Sequence, residues 1–327
     1  MADLQTPLYR QALPQLSGDM FLTDAGIETD LIFNHGIEIR EFAAHTLLPD
    51  AAGRSALERY FTGFIDLAAR HDAGMILDTV TWKAHRHWSA DLNEDVAFLR
   101  RANVDAVTMI ADLRNQADNR QPIVLNAPIG PRGDAYAPDQ IIGADAAESY
   151  YAEQLGWLVE TAVDMVTGLT FTQSGEAAGL VRAARSAGLP CAISFTVETD
   201  GRLPTGEKFE DAVSHVDDVT DGGPAYYMIN CAHPDHFADV MAKGDWRRRI
   251  RGVRANASRL SHAELDECCD LDAGDPAELA EQYAELKWAM PWLNIFGACC
   301  GADLRHVTRI AEAVAPQFDR NPALALT

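Results

Sequence analysis

The stretch Trp292-Leu293-Asn294-Ile295-Phe296-Gly297-Ala298-Cys299-Cys300-Gly301-Ala302-Asp303, running on into Leu304 to Val314, decides the fold. It reads as an apolar strand, a short loop and an amphipathic helix. The two thiols then stand at the C-terminal end of the strand. The same order recurs along the chain. Eight apolar or β-branched runs lie at about residues 20–25, 75–81, 123–129, 163–171, 191–197, 226–232, 250–257 and 292–298. Helical patterns cover 93–116, 144–160, 175–187, 234–243, 276–290 and 304–314. In the first of these, Val96, Leu99, Val104, Val107 and Ile110 form a broad apolar stripe. Pro234 and Pro276 sit where a first helical turn accepts proline. No Pro/Ser linker and no shift of composition breaks the series, so residues 1–327 are expected to form one domain. Alternating strands and helices imply a parallel sheet with crossover helices. Eight units predict an α/β protein built as a single (β/α)8 TIM barrel, with an open doubly wound sheet as the alternative.

In a barrel of this kind the reactive groups gather at the C-terminal ends of the strands. Asp24, Asp78-Thr79, Asn126, Cys231 and Cys299-Cys300 are all expected there. Adjacent cysteines can share one metal if the backbone bends, and Gly297 and Gly301 are expected to permit that bend. Cys231, in Asn230-Cys231-Ala232-His233-Pro234, could add a third thiol. Three sulfur ligands and one open position is the pattern of a catalytic zinc. The competing reading is that these cysteines are small buried hydrophobes. His233 and His306 lie near the same loops and read as packing or surface residues. Cys268-Cys269, in the acidic stretch 264–278, read as packing rather than ligating.

Composition narrows the function classes. Lys plus Arg number 27 against 49 Asp plus Glu, a formal charge of −22, which argues against nucleic acid or an anionic membrane as partner. No window approaches the ~20 apolar residues of a membrane-spanning helix. Met1 to Pro14 shows no basic patch leading into an apolar core, so no export signal is read there. Four of the six cysteines form two adjacent pairs, a poor disulfide framework. A cytoplasmic protein with reduced thiols is expected.

On these residues the chain resembles the homocysteine S-methyltransferase family, from about residue 18 to 316. The resemblance rests on Asp24-Ala25-Gly26-Ile27-Glu28-Thr29-Asp30-Leu31, Gly74-Met75-Ile76-Leu77-Asp78-Thr79 and Ile129-Gly130-Pro131-Arg132-Gly133. It continues in Ile193-Ser194-Phe195-Thr196, Asn230-Cys231 and Gly297-Ala298-Cys299-Cys300-Gly301. The resemblance implies a zinc-dependent barrel that passes a methyl group from a sulfonium or quaternary ammonium donor to a thiol, with homocysteine giving methionine. It implies Zn2+ held by Cys231, Cys299 and Cys300, which then also carry the catalysis. Asp24, Gly26, Thr79 and Asn230 are the implied substrate-binding set, Asp24 holding the amino group. The physical sense is plain: the thiolate is the nucleophile, a free thiol is mostly protonated at neutral pH, and a metal deprotonates a coordinated thiol.

One departure matters. After the fourth strand the family usually places a glutamate before a threonine, and that glutamate binds the amino acid's ammonium. Here the pair is Leu169-Thr170. Either Asp24 or another acid such as Glu28 carries the contact, or the acceptor is not homocysteine. The alternatives are the same chemistry on another thiol, a selenol or an arsenic compound, or a non-catalytic barrel that binds zinc or thiols. With little chain after the eighth unit, a diffusible donor such as S-methylmethionine, S-adenosylmethionine or a betaine-like cation is expected over methylcobalamin held in cis. Trp82, Trp88, Tyr136 and Trp157 are candidates for a cation–π wall around it. Small molecules are thus the expected partners, with a homo-oligomer left open.

Overall fold

The structure is a computed structural model that describes residues 6–319 apart from positions 119, 137, 139 and 269. Among the described residues, eight parallel strands close in sequence order into a barrel. They are β1 Phe21–Leu22, β2 Gly74–Asp78, β3 Ile123–Ile129, β4 Met165–Phe171, β5 Cys191–Phe195, β6 Tyr227–Asn230, β7 Ile250–Ala255 and β8 Ile295–Ala298. Closure is made where Phe21 and Leu22 pair with Ile295 and Phe296. The expected barrel is therefore the observed one, and the open sheet is excluded because β1 and β8 leave no edge.

Helices cover the outside. They include α1 Ala51–Arg70, α2 Val96–Gln116, α3 Ala144–Leu158, α4 Ser174–Ala187 and α5 Phe209–Thr220. After β6 comes the single turn α6 Pro234–Phe237, then α7 Pro276–Ala289 and α8 Leu304–Val314. Two of these, α1 and α5, were not among the expected helices. The signals were present: in α1, Ala56, Leu57, Tyr60, Phe61, Phe64, Ile65 and Ala68 bury one face, and Asp50 caps it by accepting from Gly53 N–H. In α5, Phe209, Ala212, Val213 and Val216 bury the face that packs inward. The helix expected over 234–243 is instead one turn followed by a 3-10 turn at Val240–Ala242.

Two apolar layers hold the barrel. The larger lies between strands and helices. A smaller inner plug of Phe21, Ile76, Val124, Met165, Tyr226, Met228 and Ile295 fills the lower barrel, with Leu13 from the N-terminal segment beneath it. That segment is tied down by Asp164, which accepts from the backbone N–H of Leu8 and Tyr9, and by Asn294, which donates to the carbonyls of Gln15 and Asp19. The N-terminal end of the barrel is thus packed shut. The C-terminal mouth holds the polar residues and the cleft. No helix among the described residues is long and apolar enough to cross a membrane.

Candidate metal centre

Cys299 and Cys300 leave the end of β8, and Cys231 leaves the end of β6. Their three sulfur atoms lie within 4.8 Å of one another. Cys231 Sγ and Cys300 Sγ are 3.5 Å apart. Three sulfurs on one tetrahedral zinc at about 2.3 Å would be separated by roughly 3.8 Å, so the donor set fits zinc in both chemistry and spacing. Two backbone features build the cluster. Cys231 sits at φ +56° and Gly301 at φ +78°, both in the left-handed region, so the chain turns sharply at each thiol loop. Gly297 plays a different part from the expected bend: a Cβ there would lie 1.9 Å from Thr23 Oγ1, so glycine allows β8 to close on the β1 end. Gly26 likewise lets the first loop pack on the Cys299 carbonyl, 2.6 Å from where its Cβ would be.

The electrostatics are those of three thiols sharing a negative charge. Hydrogen bonds from Cys231 and Cys300, assisted by the Arg254 charge, hold the Cys299 thiol well below its usual range. The thiols of Cys231 and Cys300 move the opposite way. Tyr136 Oη lies 3.0 Å from Cys231 Sγ, and its ring stacks obliquely on His262 at 4.5 Å. His262 is a site residue the sequence reasoning missed. Its Nε2 is 2.6 Å from the Cys231 carbonyl and its Nδ1 is 3.0 Å from Glu198 Oε1, which braces the strained turn. His262 follows Ser261, whose capping box with Glu264 starts a short helix, and nothing local marks it as facing Cys231. His233 and His306 cap their own helices, accepting from Asp235 N–H and Asp303 N–H, and His306 Nε2 also lies 2.8 Å from the Ala273 carbonyl.

The thiols open into a cleft of about 490 Å³ at the barrel mouth. Asp24, Gly26 and Thr79 line it, as do Glu28, Trp82, Trp88, Tyr136 and Leu169. Trp157 lies outside it, on the outer helix α3. Cys268 lines the rim and is exposed, while Cys269 lies outside the described residues. Thr79 Oγ1 is 2.6 Å from Thr81 Oγ1. Asn230 is fully buried below the cleft wall. Its Oδ1 accepts from Ser194 Oγ and from the backbone N–H of Thr170, and its Nδ2 donates to Thr170 Oγ1. These bonds hold Thr170 at φ +64° beside Leu169 and bring Asn230 Nδ2 to 3.9 Å from Cys299 Sγ. Asn230 thus shapes the wall from behind, instead of meeting a ligand in the cleft.

Asp24, expected to hold the amino group, lines the cleft with both carboxylate oxygens already engaged by neighbouring side chains. Arg254 of β7 crosses the barrel, donating to Asp24 and to Asp78, and its Nε reaches the Ala298 carbonyl at 3.3 Å. Tyr60 Oη donates to the other oxygen of Asp24 at 3.3 Å. Asn126 Nδ2 donates to Asp78 at 2.7 Å, and Thr167 Oγ1 donates to Asn126. Burial pushes the Asp24 carboxyl up to about 7 against the pull of Arg254, with Asp78, Glu28 and Cys299 adding to the rise. Glu28, on the one-turn helix Ile27–Thr29, is likewise pushed up to about 7 by burial, opposed by its own backbone N–H.

Fold and site define a (β/α)8 barrel with three thiols gathered at its mouth. The homocysteine S-methyltransferase family model matches residues 21–314, and the chain belongs to that family. The oxidised form of the homocysteine methyltransferase MmuM from Escherichia coli superposes with a TM-score of 0.72 at 16% identity, over 90% of this chain and 96% of that one. The metallated form of the same protein gives 0.70 at 16% identity over the same shares. Its apo form gives 0.65 at 14% identity, over 93% of this chain and 98% of that one. At such identities the superpositions speak for the fold.

Proposed function

We propose that this methyltransferase moves a methyl group from a sulfonium or quaternary ammonium donor to a small thiol, with homocysteine the leading acceptor and methionine its product. The carrying observation is the convergence of three sulfurs within 4.8 Å at the floor of an open cleft. Cys231, Cys299 and Cys300 would hold the zinc. When bound, the metal supplies a Lewis acid that lowers the pKa of an acceptor thiol. Every other part of the reading concerns the chain itself. His262 and Asn230 position the thiol loops from behind. Arg254 places a positive charge where sulfur anions collect, which offsets the cost of gathering them in a buried site. Trp82 and Trp88 offer aromatic faces at the mouth, where a donor's positive charge is attracted. Lys83 Nζ now lies 4.1 Å above the Trp88 ring, which supports the view that this face accepts a cation. S-methylmethionine, S-adenosylmethionine and betaine-like compounds all meet that description. A diffusible donor and acceptor suit a cytoplasmic enzyme.

The test joins metal content to chemistry. Purified protein should carry about one zinc per chain and convert homocysteine to methionine with one of these donors. Cys231→Ser, Cys299→Ser and Cys300→Ser should each lose most of the zinc and the activity, while Cys268→Ser keeps both. Full zinc retention in Cys299→Ser would overturn the ligand assignment. A fully metallated protein that transfers no methyl group to any thiol would overturn the reaction.

A further inference from the structure

The site combines two observations that bear on what the acceptor carries besides its sulfur. Position 169, where the resemblance leads one to expect a glutamate, is leucine, and Leu169 does line the cleft. Asp24, the other expected acid, has one oxygen on the Arg254 guanidinium and the other on Tyr60 Oη. Leucine at 169 offers no charge, and Asp24 is already tied to Tyr60 and to Arg254, which it shares with Asp78. Glu28 is different. It lines the same cleft, and no other side chain of the described residues hydrogen-bonds its carboxylate. The nearest cation at the mouth, Lys83, attracts it without forming an ion pair; the Lys83 ammonium is held by the Glu41 carbonyl at 2.7 Å and by the Trp88 face. A half-buried carboxylate that makes no ion pair is under-compensated, and a cationic ligand is what would satisfy it.

We infer that Glu28 is the specificity-determining residue for the acceptor, receiving its ammonium group in place of an acid at position 169. The inference rests on the proposed thiol reaction and deepens it. Glu28 follows Gly26 by two residues, and Gly26 packs directly on the Cys299 carbonyl, so the loop that carries Glu28 abuts the thiol loop. In homocysteine three carbons separate sulfur from nitrogen, a short span that suits an acid held beside the thiol loop. The donor's charge belongs elsewhere. It must approach the acceptor sulfur from the open side, where Trp82, Trp88 and Phe42 lie.

The experiment is calorimetric titration of the zinc-loaded protein with homocysteine and with 4-mercaptobutanoate, which lacks only the amine. Wild type, Glu28→Gln and Asp24→Asn are compared. Wild type should favour homocysteine. In Glu28→Gln the homocysteine to 4-mercaptobutanoate affinity ratio should fall about ten- to hundredfold, the weight of one charge-assisted hydrogen bond. In Asp24→Asn, where the hydrogen bond to Arg254 is kept, the ratio should stay within about threefold of wild type. A general disturbance of the cleft would weaken both thiols together and leave the ratio in Glu28→Gln unchanged. That result overturns the role of Glu28 while the thiol reading stands, and so does a ratio that collapses in Asp24→Asn alone. Binding of neither thiol by wild type would overturn both.

Discussion

Arg254→Met should be the most destabilising single change at the barrel mouth. Arg254 is 5% exposed and is the counter-charge for two carboxylates that are themselves buried. Methionine removes the charge, keeps much of the volume and strands Asp24 and Asp78 together. Removing one partner of a buried ion pair costs about 3–5 kcal/mol. A ceiling comes from protonation: neutralising an ordinary aspartate at pH 7 costs about 4 kcal/mol, and a stranded carboxylate will take up a proton before it pays more. We expect a loss of about 3–5 kcal/mol at pH 7. The sign with pH follows. Without Arg254, burial and mutual repulsion raise the carboxyl pKa values in the folded state above their unfolded values. The folded variant then binds more protons than the unfolded chain, so its deficit shrinks as pH falls from 7 toward 5. The triple change Asp24→Asn, Asp78→Asn, Arg254→Met removes every charge together and should recover more than half the loss. The assay is urea unfolding of metal-stripped protein at pH 7 and pH 5, which keeps metal binding out of the measured stability. A single-variant deficit under about 1 kcal/mol, the level of an exposed pair, or one that grows on acidification, would refute the view that Arg254 commits Asp24.

Two further outcomes are expected. His85 is buried, with Nδ1 2.6 Å from Tyr150 Oη, and burial pushes its imidazole down to about 3. The unfolded chain takes up that proton near pH 6.5 and the folded chain does not, so stability should fall as pH drops from 6.5 toward 3, by up to about 1.4 kcal/mol per unit from this group; His85→Gln should flatten that slope in a pH series of urea midpoints, and an unchanged slope would discount it. Leu169→Glu should tighten homocysteine about ten- to hundredfold relative to 4-mercaptobutanoate, because the side chain faces the cleft beside the Trp82 hydrogen bond to its carbonyl; weaker homocysteine binding in the same titration would mean the added acid meets no ammonium.

The barrel was legible because its signals are local. Strand-like runs such as 123–129 coincide with β3, and the pattern from Leu304 to Val314 coincides with α8. Even the missed helices α1 and α5 carry ordinary one-sided patterns. The meeting of Cys231 with Cys299 and Cys300 was legible for a topological reason: all three follow strand ends, and strand ends share one face of a barrel. What a side chain does after reaching that face was not legible. Asn230 and Asp24 both stand at strand ends, yet one is engaged by Thr170 and Ser194 and the other by Arg254 and Tyr60.

The charge pattern of the cleft shows the limit most clearly. From the sequence, only the loss at Leu169 can be seen. That Asp24 is also committed depends on Arg254, 230 residues away along the chain, whose guanidinium must cross the barrel to reach it. Position 254 lies within a strand that reads as apolar and β-forming, and an inward-pointing arginine there has no local signature. The freedom of Glu28 follows only by elimination, once Arg254 is seen to engage Asp24 and Asp78 and Lys83 to lie on Trp88. With leucine at 169 and Asp24 tied to Arg254 and Tyr60, Glu28 is an acid of the cleft left without a side-chain hydrogen bond among the described residues. An acceptor without an amine would leave the half-buried Glu28 without that partner, and this asymmetry favours an acceptor that carries an amine.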